Sequence, residues 1–184
     1  MTRITRTAVV PLFLALFALG AGPAQAGAPH PRSDLIVPGK SIGGVALGQT
    51  PANAKAAWGP GFACPKPIGS APLVCDWSSP LKSALGDSAF EALHGKVFNV
   101  QIGVGHKGDT PNFRTSITTF KTRKDIGLGS TEAALLVAYP LLKKTPLYHV
   151  TQYTLDNGKI HTRFEVEDDG RVTAILIYKD VPGA

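Results

Sequence analysis

The sequence predicts an α+β fold: two tandem units, each a short helical segment plus an antiparallel β-meander, forming one broad sheet with helices on one face. Three observations predict it. The stretch Val45-Ala-Leu-Gly-Gln-Thr-Pro-Ala-Asn-Ala-Lys-Ala-Ala-Trp58 returns without a gap as Ile126-Gly-Leu-Gly-Ser-Thr-Glu-Ala-Ala-Leu-Leu-Val-Ala-Tyr139, at an offset of 81 residues. Leu47/Leu128, Gly48/Gly129, Thr50/Thr131, Ala52/Ala133 and Ala57/Ala138 are identical, and Trp58 and Tyr139 keep an aromatic at the end. Second, Gly95-Lys-Val97 matches Gly170-Arg-Val172, and Val100 and Ile102 match Ile175 and Ile177, now at an offset of 75. The first unit therefore holds about six extra residues between its helix and its last strand. Third, Phe98, Val100, Ile102 and Val104 alternate with Asn99, Gln101 and Gly103, as in a strand with one apolar and one polar face. Two such units side by side bury one face of a shared sheet and leave the other open. The division expected is a leader at 1–26, a flexible arm at 27–41, a first unit at 42–112 and a second at 113–184.

The leader is a secretory signal peptide by pattern. Arg3 and Arg6 precede an apolar run from Ala8 to Gly20, and Ala24-Gln25-Ala26 offers small residues for cleavage after Ala26. The run is about 13 residues, short of the ~20 that span a bilayer. No later run is long enough either, so a processed chain without a transmembrane span, secreted or periplasmic, is expected. Loss of Arg3 and Arg6 lowers the formal charge from +6 to +4. That is mildly basic and supports no more than weak affinity for acidic surfaces. Within the arm His30 lies between two prolines with no second ligand nearby. Asp34 to Leu47 reads as extended, with turns at Pro38-Gly39 and Gly43-Gly44. Gly39-Lys40-Ser41 resembles the tail of a phosphate-binding loop, but Asp34 stands where that motif needs its first glycine.

Helix capping explains the repeated glycines more simply. Thr50 precedes Pro51, well suited to a first helical position, and a threonine there accepts from the free N–H groups of the first turn. Thr131 holds the matching place, followed by Glu132, whose charge suits a helix N-terminus. Helices are expected over about 51–58 and 132–139, stopped by Gly59-Pro60 and Pro140. Cys64 and Cys75 flank a Pro-, Gly- and Ser-rich stretch, and in an exported chain they are expected to form a disulfide across a hairpin. Strands are expected at Ser88–Leu93, Lys96–Val104, Phe113–Lys121, Tyr148–Leu155, Lys159–Glu167 and Arg171–Lys179. Turns fall at His94-Gly95, Asp156-Asn157-Gly158 and Asp168-Asp169-Gly170, where Asn-Gly tolerates positive φ.

The two Leu-Gly-x-Thr lead-ins at Leu47–Thr50 and Leu128–Thr131, the spaced pair Cys64 and Cys75, and the closing Gly-Lys/Arg-Val strands resemble the β-lactamase inhibitory protein family, over about 42–179. The lead-in motif also resembles that of small outer-membrane assembly lipoproteins, which are single units. The resemblance implies a concave sheet of two units that grips an enzyme. It also implies a loop after the first unit's second Cys that carries an acidic and an aromatic residue into the target. Here that region reads Asp76-Trp-Ser-Ser-Pro-Leu-Lys82, with the pair not at a loop tip, and the second unit has no cystine of its own.

No nucleophile elbow and no His-Glu-x-x-His motif is present. His161, Arg163 and Glu165 share a strand face, with Asp168-Asp169 at its end, an arrangement that strand alternation alone produces. The expectation is therefore no catalytic residue, no metal and no cofactor. It is a non-enzymatic protein-binding module, in its specific form an inhibitor of a secreted or envelope hydrolase. An envelope structural or assembly factor is the alternative, and a hydrolase-like enzyme the least favoured reading. The partner expected is another protein of the envelope or extracellular space, not a nucleic acid. The open sheet face should supply the contacts, with Trp77, Asn99, Gln101, Tyr153 and Arg163 as candidate anchors.

Overall fold

The structure, a computed structural model, describes residues 33–59, 62–77, 87–107, 110–112 and 119–181. The leader, residues 27–32 of the arm, the loop after Trp77 and most of the strand expected at Phe113–Lys121 lie outside the described residues. Fourteen strands and two helices are formed among those described: β1 (Leu35–Val37), β2 (Ser41–Ile42), β3 (Val45–Ala46), α1 (Pro51–Trp58), β4 (Phe62–Ala63), β5 (Leu73–Trp77), β6 (Asp87–Leu93), β7 (Lys96–Gly103), β8 (Gly105–Lys107), β9 (Thr110–Asn112), β10 (Lys121–Thr122), α2 (Glu132–Ala138), β11 (Lys143–Pro146), β12 (Val150–Asn157), β13 (Ile160–Glu167) and β14 (Val172–Lys179).

This corrects the fold class. The chain is β-rich, with strand in about half of the described residues, rather than α+β with a helical layer. The helices are eight and seven residues long, too short to cover a sheet. Nor is there one broad sheet. An eight-stranded sheet runs β11-β12-β13-β14-β7-β6-β5-β4, a four-stranded sheet runs β10-β1-β2-β3, and β8 and β9 pair by themselves. The smaller sheet comes from residues expected in part to be a flexible arm. Leu35–Val37 instead pairs parallel with Lys121–Thr122 and antiparallel with Ser41–Ile42, and Ile36 is fully buried.

Two meanders make the large sheet. β4 to β7 follow one another antiparallel, as do β11 to β14, and β7 meets β14 at the seam. Its inner face is apolar. Phe90, Val100, Ile102, Phe164, Ile175 and Ile177 form one core with Ile36, Ile42 and Val45 of the smaller sheet and with Trp58 and Leu135 of the helices.

The repeated lead-ins take the same backbone path. Gly48 and Gly129 share a φ of 82°. The Gly48 amide donates to the Val97 carbonyl at 2.7 Å and that of Gly129 to Val172 at 2.8 Å. Val97 and Val172 return bonds to Gln49 and Ser130. Each glycine thus turns the chain onto the first residues of its own closing strand. Thr50 then caps α1 by accepting from Asn53, and Thr131 caps α2 by accepting from Ala134. Thr131→Ala is expected to destabilise the protein by about 1 kcal/mol, measured as a shift in denaturation midpoint. An unchanged midpoint would mean that the capping bond contributes nothing.

Candidate functional site

Strand register sorts the expected anchors. Residues paired across strands share a face. Two adjoining rows cross the outer face of the large sheet. One runs Asp156, His161, Tyr178, Asn99, Glu91 and Val74; the next runs Thr154, Arg163, Leu176, Gln101, Ala89 and Asp76. A third begins Gln152, Glu165, Ala174, Gly103. Asn99, Gln101 and Arg163 are therefore brought together, although as half-buried rather than open residues.

Tyr153 is not on this face. It pairs with Phe164 and is 1% exposed, under the inner layer. Its hydroxyl donates to a Glu132 carboxylate oxygen, and Lys144 Nζ reaches the same oxygen at 3.3 Å. Tyr153 thus anchors the first turn of α2. The bond from Tyr153 holds the Glu132 carboxyl below its ordinary range, and burial is the main cause that raises the Tyr153 phenol. Trp77 closes β5 opposite Phe62, and its side chain lies outside the described residues. The same holds for the side chains of His106 and Lys107. Cys64 and Cys75 form the expected disulfide, which joins β5 to the residue after β4, and Cys75 is fully buried.

The densest polar arrangement on the outer face gathers around Tyr178. His161 stacks on the Tyr178 ring at 5.0 Å, and the Arg163 guanidinium lies over the same ring at 5.0 Å. Arg163 Nη2 donates to the Tyr178 hydroxyl at 2.9 Å. His161 Nδ1 is 2.7 Å from Asp156 Oδ1, and Nε2 is 3.2 Å from Asp180 Oδ2. Two buried atoms near this cluster, Asn99 Oδ1 and Arg163 Nε, have no hydrogen-bond partner. Beside it lies a shallow groove of about 230 Å³, floored by Gly103 and Ala174 and edged by Gln101, Glu165 and Leu176. Gln152 donates to Glu165 at 3.0 Å. Among the described residues no group of three His, Cys, Asp or Glu is arranged to hold a metal ion.

The bond to Asp156, and then Asp180, raises the His161 pKa above its ordinary 6.5. The protonated ring is thus bound more favourably in the folded chain. Its contribution to stability is complete below about 6.5 and is lost as pH rises through the folded value. The stability advantage of the natural chain over His161→Gln is expected to shrink as pH rises above about 6.5. Denaturation midpoints of both across that range check this, and an advantage that does not vary with pH would refute it.

Sequence reasoning missed Tyr178, Leu176 and Asp180. β14 is apolar along nearly its whole length, so alternation does not mark its faces. A register shift between Glu165 and Val166 also reverses the parity that the Asp168-Asp169-Gly170 turn would impose on the pairing.

No protein-family model matches this chain, and no curated protein sequence matches it. Among solved structures it is similar to a DUF4309 family protein (YjgB) from Bacillus subtilis subsp. subtilis strain 168. The two are 13% identical, the alignment covers 74% of this chain and 83% of that one, and the TM-score is 0.45.

Proposed function

We propose that the protein is a non-enzymatic binding module that acts outside the cytoplasm and grips another protein with the outer face of its large sheet. An extracellular or envelope hydrolase is the favoured partner. The observation that carries this reading is the Arg163–Tyr178–His161 stack beside Leu176 and Gln101. Arginine and tyrosine are among the residue types that dominate interface energetics. Here both are fixed by mutual contacts on a continuous sheet, so little side-chain freedom is lost on binding. The groove floored by Gly103 and Ala174 gives a protruding side chain somewhere to enter. Export is supported by the signal-peptide pattern and by the disulfide. No helix among the described residues is long and apolar enough to cross a membrane.

The test is affinity capture from extracellular and envelope fractions with the immobilised protein, its Arg163→Ala form and its Tyr178→Ala form. A specific protein retained by the natural chain, and lost by about tenfold or more with either substitution, is the expected result. Retention of the same proteins in the same amounts by all three would sink the proposal.

A further inference from the structure

Exposed large apolar side chains are unevenly placed. Of the seven among the described residues, five fall between Leu136 and Tyr148: Leu136, Val137, Leu141, Leu147 and Tyr148. They sit on α2, in the turn after it and in the turn between β11 and β12, at the two ends of the edge strand β11. Val137, Leu141 and Tyr148 are 85%, 87% and 91% exposed. Every residue of β11, Lys143 to Pro146, is exposed as well.

The charges around the Val137 and Leu141 tip are one-sided. Lys124 Nζ donates to the Ala138 carbonyl at 2.6 Å, at the end of α2, and lies 4.7 Å from the Tyr139 ring centroid. That carbonyl carries no formal charge, so the ammonium is not neutralised there. Arg123 precedes it and Lys143 begins β11. Neither has an acidic partner among the described residues. Near that tip Asp125 is paired with Lys121 and Glu132 with Lys144 and Tyr153, whereas the Tyr148 turn adjoins Asp168, 3.1 Å from His149 Nδ1, and Glu167, opposite Val150.

We propose that this edge docks on an anionic lipid bilayer, with Leu141, Val137 and Tyr148 entering the headgroup boundary and Arg123, Lys124 and Lys143 meeting lipid phosphates. An apolar tip flanked by uncompensated cations suits such a boundary, and a tyrosine at the second tip sits comfortably at it. The tips occupy two turns about 13 Å apart along a four-residue strand, not a concave groove. A rigid protein partner would need matching relief over a large area, whereas a fluid bilayer adapts to separate tips. Pro146 and the two lysines of β11 also discourage strand addition by a protein. Lys143 extends the outer-face row of Thr154 and Arg163, while Val137, Leu141 and Tyr148 lie on α2 and in the two turns, and the inference does not depend on the role proposed for that face.

The test is co-sedimentation of the purified protein with vesicles of phosphatidylcholine alone and of phosphatidylcholine with phosphatidylglycerol. The N-terminal residue is first fixed by mass, to show that Ala8–Gly20 is gone. Retention at least roughly tenfold greater on the anionic vesicles is expected, and it should fall when salt is raised to about 0.5 M. Lys124→Glu with Lys143→Glu should remove it, and Leu141→Ser with Tyr148→Ser should reduce it about tenfold. Both latter positions are highly exposed, so their replacement leaves the core intact, and unchanged thermal midpoints verify this for every variant. Equal retention on both vesicles, retention on neither, or retention unmoved by the two double substitutions would overturn the proposal. So would capture by immobilised polyglutamate with none by vesicles, which would assign the edge to an acidic protein.

Discussion

Trp58→Ala is expected to cost about 3–5 kcal/mol of stability, the range for emptying a large aromatic site in a core. Trp58 is fully buried at the end of α1. Its indole Nε1 donates to the Ile42 carbonyl at 2.9 Å, and its ring meets Phe90 edge-on at 6.4 Å. The residue thus ties the first helix to both sheets, since Ile42 belongs to the smaller and Phe90 to the larger. The fit is close. A Cβ on Gly43, where φ is +58°, would come within 2.6 Å of that nitrogen, so Trp58 cannot simply move to admit one. Trp58→Phe separates the two contributions. It keeps most of the apolar surface but leaves a buried carbonyl without its donor, at a cost of about 1–3 kcal/mol. Denaturation midpoints of the two variants check this. A loss below about 1 kcal/mol for Trp58→Ala would show that the core closes without it.

Loss of the Cys64–Cys75 bond is expected to be the next largest effect, at about 3 kcal/mol. The bond spans a sequence separation of 11 and closes the exposed Pro- and Gly-rich segment between β4 and β5. β4 is only two residues long and lies at the sheet edge. Without the bond, two residues of strand pairing would hold that hairpin end. Cys64→Ser with Cys75→Ser should therefore lower the midpoint and expose the peptide between β4 and β5 to proteases. A double variant that matched the natural chain in both respects would show that strand pairing alone fixes the edge.

What could be read from the residues was local. Thr50 and Thr131, each two residues after a glycine and just before a helical run, mark both caps to the residue. The Cys64–Cys75 pair and the strands around Val100, Phe164 and Ile177 were visible for the same reason. Tyr153 was legible and misplaced. The hairpin turns at Gly158-Lys159 and pairs it with Phe164, on the face opposite His161, Arg163 and Glu165. The smaller sheet was not legible. β1 pairs in parallel with a two-residue strand 86 positions away, from Leu35 to Lys121, and no short-range pattern encodes that contact. β11 was hidden because Lys143-Lys144-Thr145-Pro146 is exposed throughout and carries no alternation at all. Of the site, Arg163 and Gln101 followed from polarity, whereas Tyr178 depended on a bulge that only the folded ladder reveals.

The seam between β7 and β14 has a consequence in symmetry. Val100 pairs with Ile177 and Ile102 with Ile175, while the repeat equates Val100 with Ile175 and Ile102 with Ile177. Exchanging the two strands therefore returns the same set of pairs. At the centre Gln101 pairs with Leu176, its own counterpart at the offset of 75. A pseudo-dyad passes between those two residues. The seam has the geometry of an isologous interface, the kind that two identical subunits make about a twofold axis, here held within one chain. At that axis the two copies differ, one bearing an amide and the other an aliphatic side chain, so a ligand on the outer face meets an asymmetric centre in a symmetric frame.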